Sequence, residues 1–493
     1  MSLDPIELRV LTGALRAACA EMGAVLIRSA HSSNIKERRD ASTGLFDADG
    51  QMVMQAEHIP VHLGAMPAAV RAVLAERHEP SRAWILNDPF AGGTHLPDIT
   101  VITPVFHESA LIGFAASRAH HADVGGRLPG SMPADSTSLA EEGLVISPRP
   151  LTEDSMEEIV AVMRQPEERR ADLRAQLAAN RAGATRLAEL AGRLGPERLR
   201  EGTDEVLDYC ERRTRAALSA LGDGTREARD VLEAPEGDLE LSLRAELTGS
   251  TLVLDFAGSA AQHEGNLNCP EAVTASACMF AVRVLTDPDI PPTAGAYRPI
   301  EVRAPLGSVL NARPGAAVAA GNVETSSRVA DMVLSAFGRA QGQGTMNNLT
   351  LGDDSFSYYE TLGGGQGACE DSDGPSGVHV AMSNTLNTPV EALEREFPVR
   401  VLEYSLRRGS GGAGAHRGGD GVVRELQALR EMTWSLIAER RRHRPRGASG
   451  AGDGAPGRDT LDGAPIPGKS AGVLPAGARL RIETPGGGGF GDG

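Results

Sequence analysis

Cysteine, aromatic residues and excess positive charge are all scarce in this chain of 493 residues. Its five cysteines are scattered, odd in number and never arranged as CxxC. That excludes a disulfide framework and the usual zinc-finger spacings, and a reduced cytoplasmic location fits best. Aromatics make up only 3 %, so the core must be built from Ala, Val, Leu and Ile. The formal charge is −17, without the basic footprint that nucleic-acid binding needs. No apolar run reads as a membrane span. The opening MSLDPIELRV is acidic early and is not a signal peptide. There is no GxxxxGK[ST], and no GxGxxG opening a helix in a βαβ unit, so the chain is expected to carry no nucleotide site of its own.

The most informative stretch runs from Ile85 to Pro133. Ile99–Phe106 and Leu111–Ser117 have the length and composition of strands, and the turn from His107 to Ala110 joins them as a hairpin. An antiparallel pair brings its outer ends together. His95 and Asp98 precede the first strand, and His120, His121 and Asp123 follow the second, so five ligand-type residues should meet at one end. Imidazole with carboxylate favours Zn, Mn or Fe over Mg or Ca. His95, Asp98 and His120 would leave a coordination position open for water, although spacing does not choose between His120 and His121. Gly92, Gly93, Gly125 and Gly126 flank these residues where the backbone must turn sharply or a substrate must approach.

The rest of the chain mixes hairpins with helical blocks. Asp4-Pro5 opens a helix expected to reach about His31, with Leu8, Leu11, Leu15, Cys19, Met22 and Leu26 on one face. A strand, turn and strand follow between Leu45 and Met54. His58 and His62 lie four apart, either as a second ligand pair or as ordinary loop histidines. Pro67–His78 reads as a short helix. Residues 129–148 form a long polar loop with the features of a lid, and its Ser131 serves either a substrate or a turn. Helices cover 154–221, divided at Pro166, Gly183 and Gly195-Pro196. A hairpin spans 238–256, a helix covers Glu271–Leu285, and strands are expected at 400–404, 421–429 and 479–483. From Arg440 the small-residue composition reads as a mobile loop before a glycine-rich tail that is flexible by composition. The fold class expected is α+β, multi-lobed, neither Rossmann nor TIM barrel. The lobes are drawn at 1–235, 236–440 and 441–493.

GGTHLPDITVITPVF followed by RAHHADVGGRLPGSMP resembles the hydantoinase B family. The likeness continues through NIKERRDASTGLFDADGQMVMQAEHIPVHLGAMP, NCPEAVTASA, GNVETSSRVAD, GTMNNLT, YYETLGGGQGA, SGVHVAMSNTLNTPVEALE and the terminal ETPGGGGFG, and so spans nearly the whole chain. The family takes in the B subunit of ATP-dependent N-methylhydantoinase, the C-terminal half of 5-oxoprolinase and a large subunit of acetone and acetophenone carboxylases. The resemblance implies a hetero-oligomer with an A-type hydantoinase subunit that uses the ATP to phosphorylate the amide oxygen of a small cyclic amide. Water activated by the divalent metal would then open the ring. Asp123, His121 and Asp40 are the candidate bases, and Arg38 the candidate anchor for an anionic group. Glu37, Ser131, Asn268 and Asn322 are candidate substrate contacts. The likeness of the ending implies instead a tail wrapped onto the core or a partner subunit. A ketone carboxylase subunit is the alternative reading, and a structural metal in a scaffold without chemistry is a third.

Overall fold

The computed structural model describes residues 4–57, 59–80 and 82–493. The site hairpin is longer than its apolar runs. Its strands are Asp98–His107 and Ala110–His120, turning on two residues, with Asp98 directly opposite His120. It sits in the middle of a six-stranded antiparallel sheet ordered Met52–Glu57, Ala41–Phe46, Ala110–His120, Asp98–His107, Ala83–Leu86, Arg149–Leu151. Because Ala41 pairs with Ala119, the Asp40 carbonyl accepts from the His120 amide at 3.0 Å. Asp40 is thereby fixed at the same sheet end as Asp98.

Helices cover this sheet. The first runs Pro5–Ser29 behind a capping box in which the Asp4 carboxylate accepts from Ile6 and Glu7. By length and composition it is apolar enough to cross a membrane, contrary to the expectation from runs alone. In the fold, Leu11, Leu15, Cys19, Met22 and Leu26 are buried in the core beneath the sheet. The block 154–221 resolves into Glu153–Val160, Pro166–Leu194 and Pro196–Ala220. Gly195 divides the last two at φ 86°, but Gly183 does not break its helix. A Cβ on Gly183 would stand 2.3 Å from Met22 Sδ, so this glycine permits a close crossing. The helix expected from Pro67 begins earlier, at His62, with Pro67 inside it.

The remaining chain forms three further sheets. One is ordered Ile300–Arg303, Thr251–Asp255, Gly237–Thr248, Gly224–Ala234; its last strand was not anticipated. Another is ordered Phe356–Glu360, Asn348–Asp353, Met432–Ile437, Lys469–Leu474. The third is ordered Val399–Arg407, Gly421–Ala428, Arg479–Glu483, Arg458–Leu461, Ala464–Ile466. The helix Glu271–Leu285 lies where the pattern placed it. The architecture is α+β without a closed barrel, as read from the sequence.

The stretch from Arg440, expected to be mobile, is tied down. Arg440 is buried and donates to Asp230 at 2.9 Å, and Arg441 pairs with Asp459 at 2.8 Å. The tail is buried too from Pro485 to Gly489. Gly487 donates to the Gly419 carbonyl and accepts from Gly412, Gly488 donates to Gln341, and Gly489 donates to Gly452. Segments 363–367, 410–419, 446–454 and 485–490 thus form one bundle of backbone packed on backbone. Glycine is required at its axis for the reason it is required in collagen. Limited proteolysis of the intact protein should leave the C-terminus uncut under conditions that nick exposed loops; immediate loss of the last residues would contradict this packing.

A buried charge network backs the bundle: Asp230 with Arg440, Arg328 with Glu439 at 3.0 Å, and Asp331 with Arg440 at 3.3 Å. Burial nevertheless pushes Glu324 and Asp331 each up to about 8. An acid whose pKa is raised by folding holds a proton that the unfolded chain releases. Its stabilisation is therefore complete below the unfolded value near 4.5 or 3.8 and is lost as pH rises through about 8. The melting temperature should fall as pH rises from about 4.5 to about 8 and level off above, and fall less steeply in Glu324→Gln. Equal slopes for parent and variant would refute the assignment.

Candidate functional site

The paired ends of the hairpin open into a cavity lined by Asp40, Ile59, Val61, His62, His95, Asp98, His120, Asn322, Val323, Met346, Tyr359, Thr361, Met382, Ser383 and Thr385. Its free space is about 20 Å3, room for roughly one water. A cyclic amide therefore enters only when part of the lining moves. Met346 and Met382, unbranched thioethers, are the side chains best able to re-pack.

Asp98 is the centre of one wall. Its Oδ2 lies 3.3 Å from His95 Nε2 and 3.4 Å from His62 Nε2, and it accepts from Thr94 Oγ1 at 2.5 Å. Burial would raise this carboxyl, but His95 and His62 outweigh it and hold Asp98 well below the usual carboxylate range. His120 faces His95 with ring centres 5.0 Å apart and stacks on Tyr359 at 4.2 Å. Asn34 contacts its Nδ1 at 3.0 Å, and Ser42 contacts His62 Nδ1 at 2.9 Å. Both imidazoles are thus oriented from behind, with Nε2 toward the cavity. Burial lowers His62 and drives His120 well below the ordinary histidine value, so both are neutral near pH 7. Asp40 is raised to about 7 by burial and by the charge of Asp98, against the pull of Arg38 and His95.

The Nε2 atoms of His62, His95 and His120 and Oδ1 of Asp98 are buried with no hydrogen-bond partner. Imidazoles with unused ring nitrogens beside an ionised carboxylate suit a divalent transition metal. Among the described residues no three such side chains already surround one point as they stand. Holding an ion would need side-chain rotation, for which Asp40, His62, His95, Asp98 and His120 are the donors at hand.

The structure separates the expected site residues into two groups. His95, Asp98, His120, Asp40 and Asn322 meet at the cavity. His121 points to the other side of the sheet, its Nε2 3.0 Å from Gln176 Oε1 on the long helix, so His120 is the one that faces the cavity. Asp123 is spent on a turn. Its carboxylate accepts from the amides of Gly125, Gly130 and Arg164 and pairs with Arg164 Nη1 at 3.0 Å. Ser131 Oγ accepts from the amides of Val124 and Gly126 in the same turn. Asn268 ties His263, Gly265 and Ala317 together. Glu37 is half-buried at the end of the short helix Ser33–Lys36 and lines no part of the cavity.

The loop 129–148 is a strap, not a lid over the cavity. Its Glu142 accepts from the amides of Val318 and Ala319. Arg38 lies just behind the cavity wall, donating to Tyr359 O and to the hydroxyls of Thr361 and Thr385. Asn322 sits in a π-helical turn, Gly321–Thr325, a distortion often found at functional sites. A Cβ on Gly321 would meet the Asn268 carbonyl at 1.8 Å, so glycine there lets the two segments touch. Sequence reasoning undervalued His62, weighed as a loop histidine, and assigned no role to Tyr359, Thr361, Ser383 or Thr385. His58 lies outside the described residues.

Fold and cavity together define a mixed α+β protein with a histidine–aspartate cluster beneath a hydroxyl-lined wall. The hydantoinase B/oxoprolinase family model matches residues 4–493, and the chain belongs to that family. It is 40 % identical to 5-oxoprolinase 1 of Arabidopsis thaliana over 99 % of its own length, but it covers only 42 % of that protein. The crystal structure of the ATP-dependent caprolactamase from Pseudomonas jessenii superposes with a TM-score of 0.93 at 27 % identity, over 100 % of this chain and 92 % of that one. Nucleotide-free acetone carboxylase shares the fold, with a TM-score of 0.89 at 19 % identity over 99 % of this chain and 76 % of that one.

Proposed function

We propose that this chain supplies the ring-opening site of an ATP-dependent cyclic-amide hydrolase acting on a five-membered lactam or imide of the 5-oxoproline or hydantoin type. The observation that carries the reading is the small cavity lined by His62, His95, Asp98 and His120, in which the Nε2 atoms of all three histidines have no hydrogen-bond partner. The identity to a 5-oxoprolinase and the likeness to a caprolactamase favour a hydrolase over a carboxylase.

A lactam resists water because amide resonance stabilises the ground state. Phosphorylation of the amide oxygen removes that protection and makes the carbon electrophilic. No nucleotide motif is present in the sequence, so the phosphorylation is assigned to an A-type partner. A divalent ion bound by His95, Asp98 and His120, with His62 and Asp40 beside them, would supply hydroxide near neutral pH. His62 and His120 stay neutral as donors because they are buried. Asp40, poised at about 7, is the group to take a proton from the attacking water. Asn322, with its Oδ1 free, accepts from the ring N–H. The near absence of free volume keeps bulk water from an activated intermediate. A cytoplasmic location belongs to this reading, since a partner drawing on the ATP pool works there.

Reconstitution with an A-type subunit, ATP and either 5-oxoproline or hydantoin in 18O-labelled water tests the proposal. One labelled oxygen in the new carboxylate, dependent on ATP, is the expected result. Labelled bicarbonate entering a ketone, with no ring opening, would replace it with the carboxylase.

A further inference from the structure

The wall opposite the histidines has a different chemistry. Thr361, Ser383 and Thr385 line it with hydroxyls, and a guanidinium and a neutral imidazole, Arg38 and His379, stand behind them. Arg38 is fully buried, yet its contacts are all neutral: Tyr359 O at 2.7 Å, Thr361 Oγ1 at 2.9 Å and Thr385 Oγ1 at 3.3 Å. It also stacks on the Tyr359 ring at 4.5 Å, and its Nε has no partner. A buried guanidinium satisfied only by neutral acceptors leaves positive potential on the side it faces.

A hydroxyl that accepts from a guanidinium has its own proton to give elsewhere. Thr361 and Thr385 share one such proton across 2.7 Å. The other remains for whatever occupies the cavity. Ser383 repeats the arrangement, its Oγ 2.6 Å from His379 Nδ1. With Nδ1 as the donor, the serine proton also turns inward. The wall thus presents polarised hydroxyl donors, with Arg38 hydrogen-bonded to no carboxylate and Asp40 an acid that shares the cavity with it.

We propose that the hydroxyls of Thr361, Ser383 and Thr385, polarised from behind by Arg38 and His379, form the subsite for the phosphoryl oxygens of an O-phosphorylated cyclic amide. The substrate assignment rests on the function proposed above; the preference for a phosphoryl anion rests on the wall itself. Arg38 acts through the two threonines, because its fork is already occupied. Arg38 and His379 are therefore positioning residues. Displacement of Met346 and Met382 makes the room.

The experiment uses the whole chain with inorganic phosphate as the probe, followed by calorimetry and 31P line broadening. Saturable binding is expected in the parent, weakened about ten-fold by Ser383→Ala and by Thr385→Val, and recovered in Thr385→Ser. Metal content should be unchanged in all three; melting temperature should stay at the parent's in Thr385→Ser and fall by a few degrees in the two deletions, with the protein still folded. Absence of saturable binding, or binding indifferent to both hydroxyl deletions, overturns the subsite. In the reconstituted assay, a fall in kcat/KM for Ser383→Ala places the phosphoryl group on the substrate. Weaker inhibition by phosphate with kcat/KM unchanged would make this a product site and overturn the substrate assignment. If ring opening itself is not found, the proposed function fails while the phosphate measurement still stands.

Discussion

Asp98→Asn is expected to lower the proposed ATP-dependent ring opening by at least about a hundred-fold if Asp98 holds a metal, since even groups that merely support metal ligands are worth 10–100-fold. The carboxylate is the one charge that His62 and His95 both approach, at 3.4 and 3.3 Å. Asparagine keeps the shape and can still meet Thr94, so the fold should survive while the charge is lost. Metal content by plasma mass spectrometry, on protein purified without chelator, should fall with activity, and His95→Ala should behave alike. Asp123→Asn is the informative contrast. That carboxylate is equally buried but holds Arg164 and a glycine turn, so it should cost stability and leave metal content alone. Full activity and metal in Asp98→Asn would sink the site; loss of metal in Asp123→Asn but not in Asp98→Asn would move it to the turn.

The other large effect lies far from the chemistry. Adding a Cβ at Gly487 puts it 2.0 Å from the Gln366 carbonyl oxygen, and at Gly488 it falls 2.1 Å from that of Arg446. Backbone cannot yield as a flexible side chain can. Gly487→Ala and Gly488→Ala should each destabilise by about 4 kcal/mol or more, read as a shift of the guanidinium midpoint or as insoluble protein. Gly13→Ala provides the control. Gly13 lies in the first helix with nothing within 4 Å of its would-be Cβ, so alanine there should be neutral or stabilising by up to about 1 kcal/mol. Parent-like stability in both tail variants would show that the bundle does not hold the fold together.

What could be read from the residues followed the range of their interactions. The hairpin announced itself because β-periodicity and the turn are local, and antiparallel pairing then forces His95, Asp98 and His120 together. Asp40 was visible as a charge but not as a neighbour of Asp98, since its place depends on Ala41 pairing with Ala119. Asp123 and Ser131 had the right residue types in the right stretch, and only the course of the turn shows that they are consumed by its own amides. The hydroxyl wall comes from residues near 360 and 385, and no spacing rule connects them to a histidine at 120. For the glycine-rich tail, composition pointed to flexibility and only the likeness of ETPGGGGFG to a family ending pointed to a tail wrapped onto the core, as it is. By itself glycine signals a flexible chain, but several glycine-rich segments meeting can pack backbone to backbone, and composition alone does not show whether they meet.

The tail also sets an order of events for the growing polypeptide. The strand at Arg479–Glu483 joins Gly421–Ala428 to Arg458–Leu461, and Pro485–Phe490 runs between loops made much earlier. Domains generally mature from the N-terminus during synthesis. Here the sheet beneath the histidines can form while translation continues, but the C-terminal half has no centre until Pro485–Phe490 has been made. A ribosome that stops before Pro485 therefore releases a chain with its hairpin folded and its opposite wall unsupported, a product for quality control.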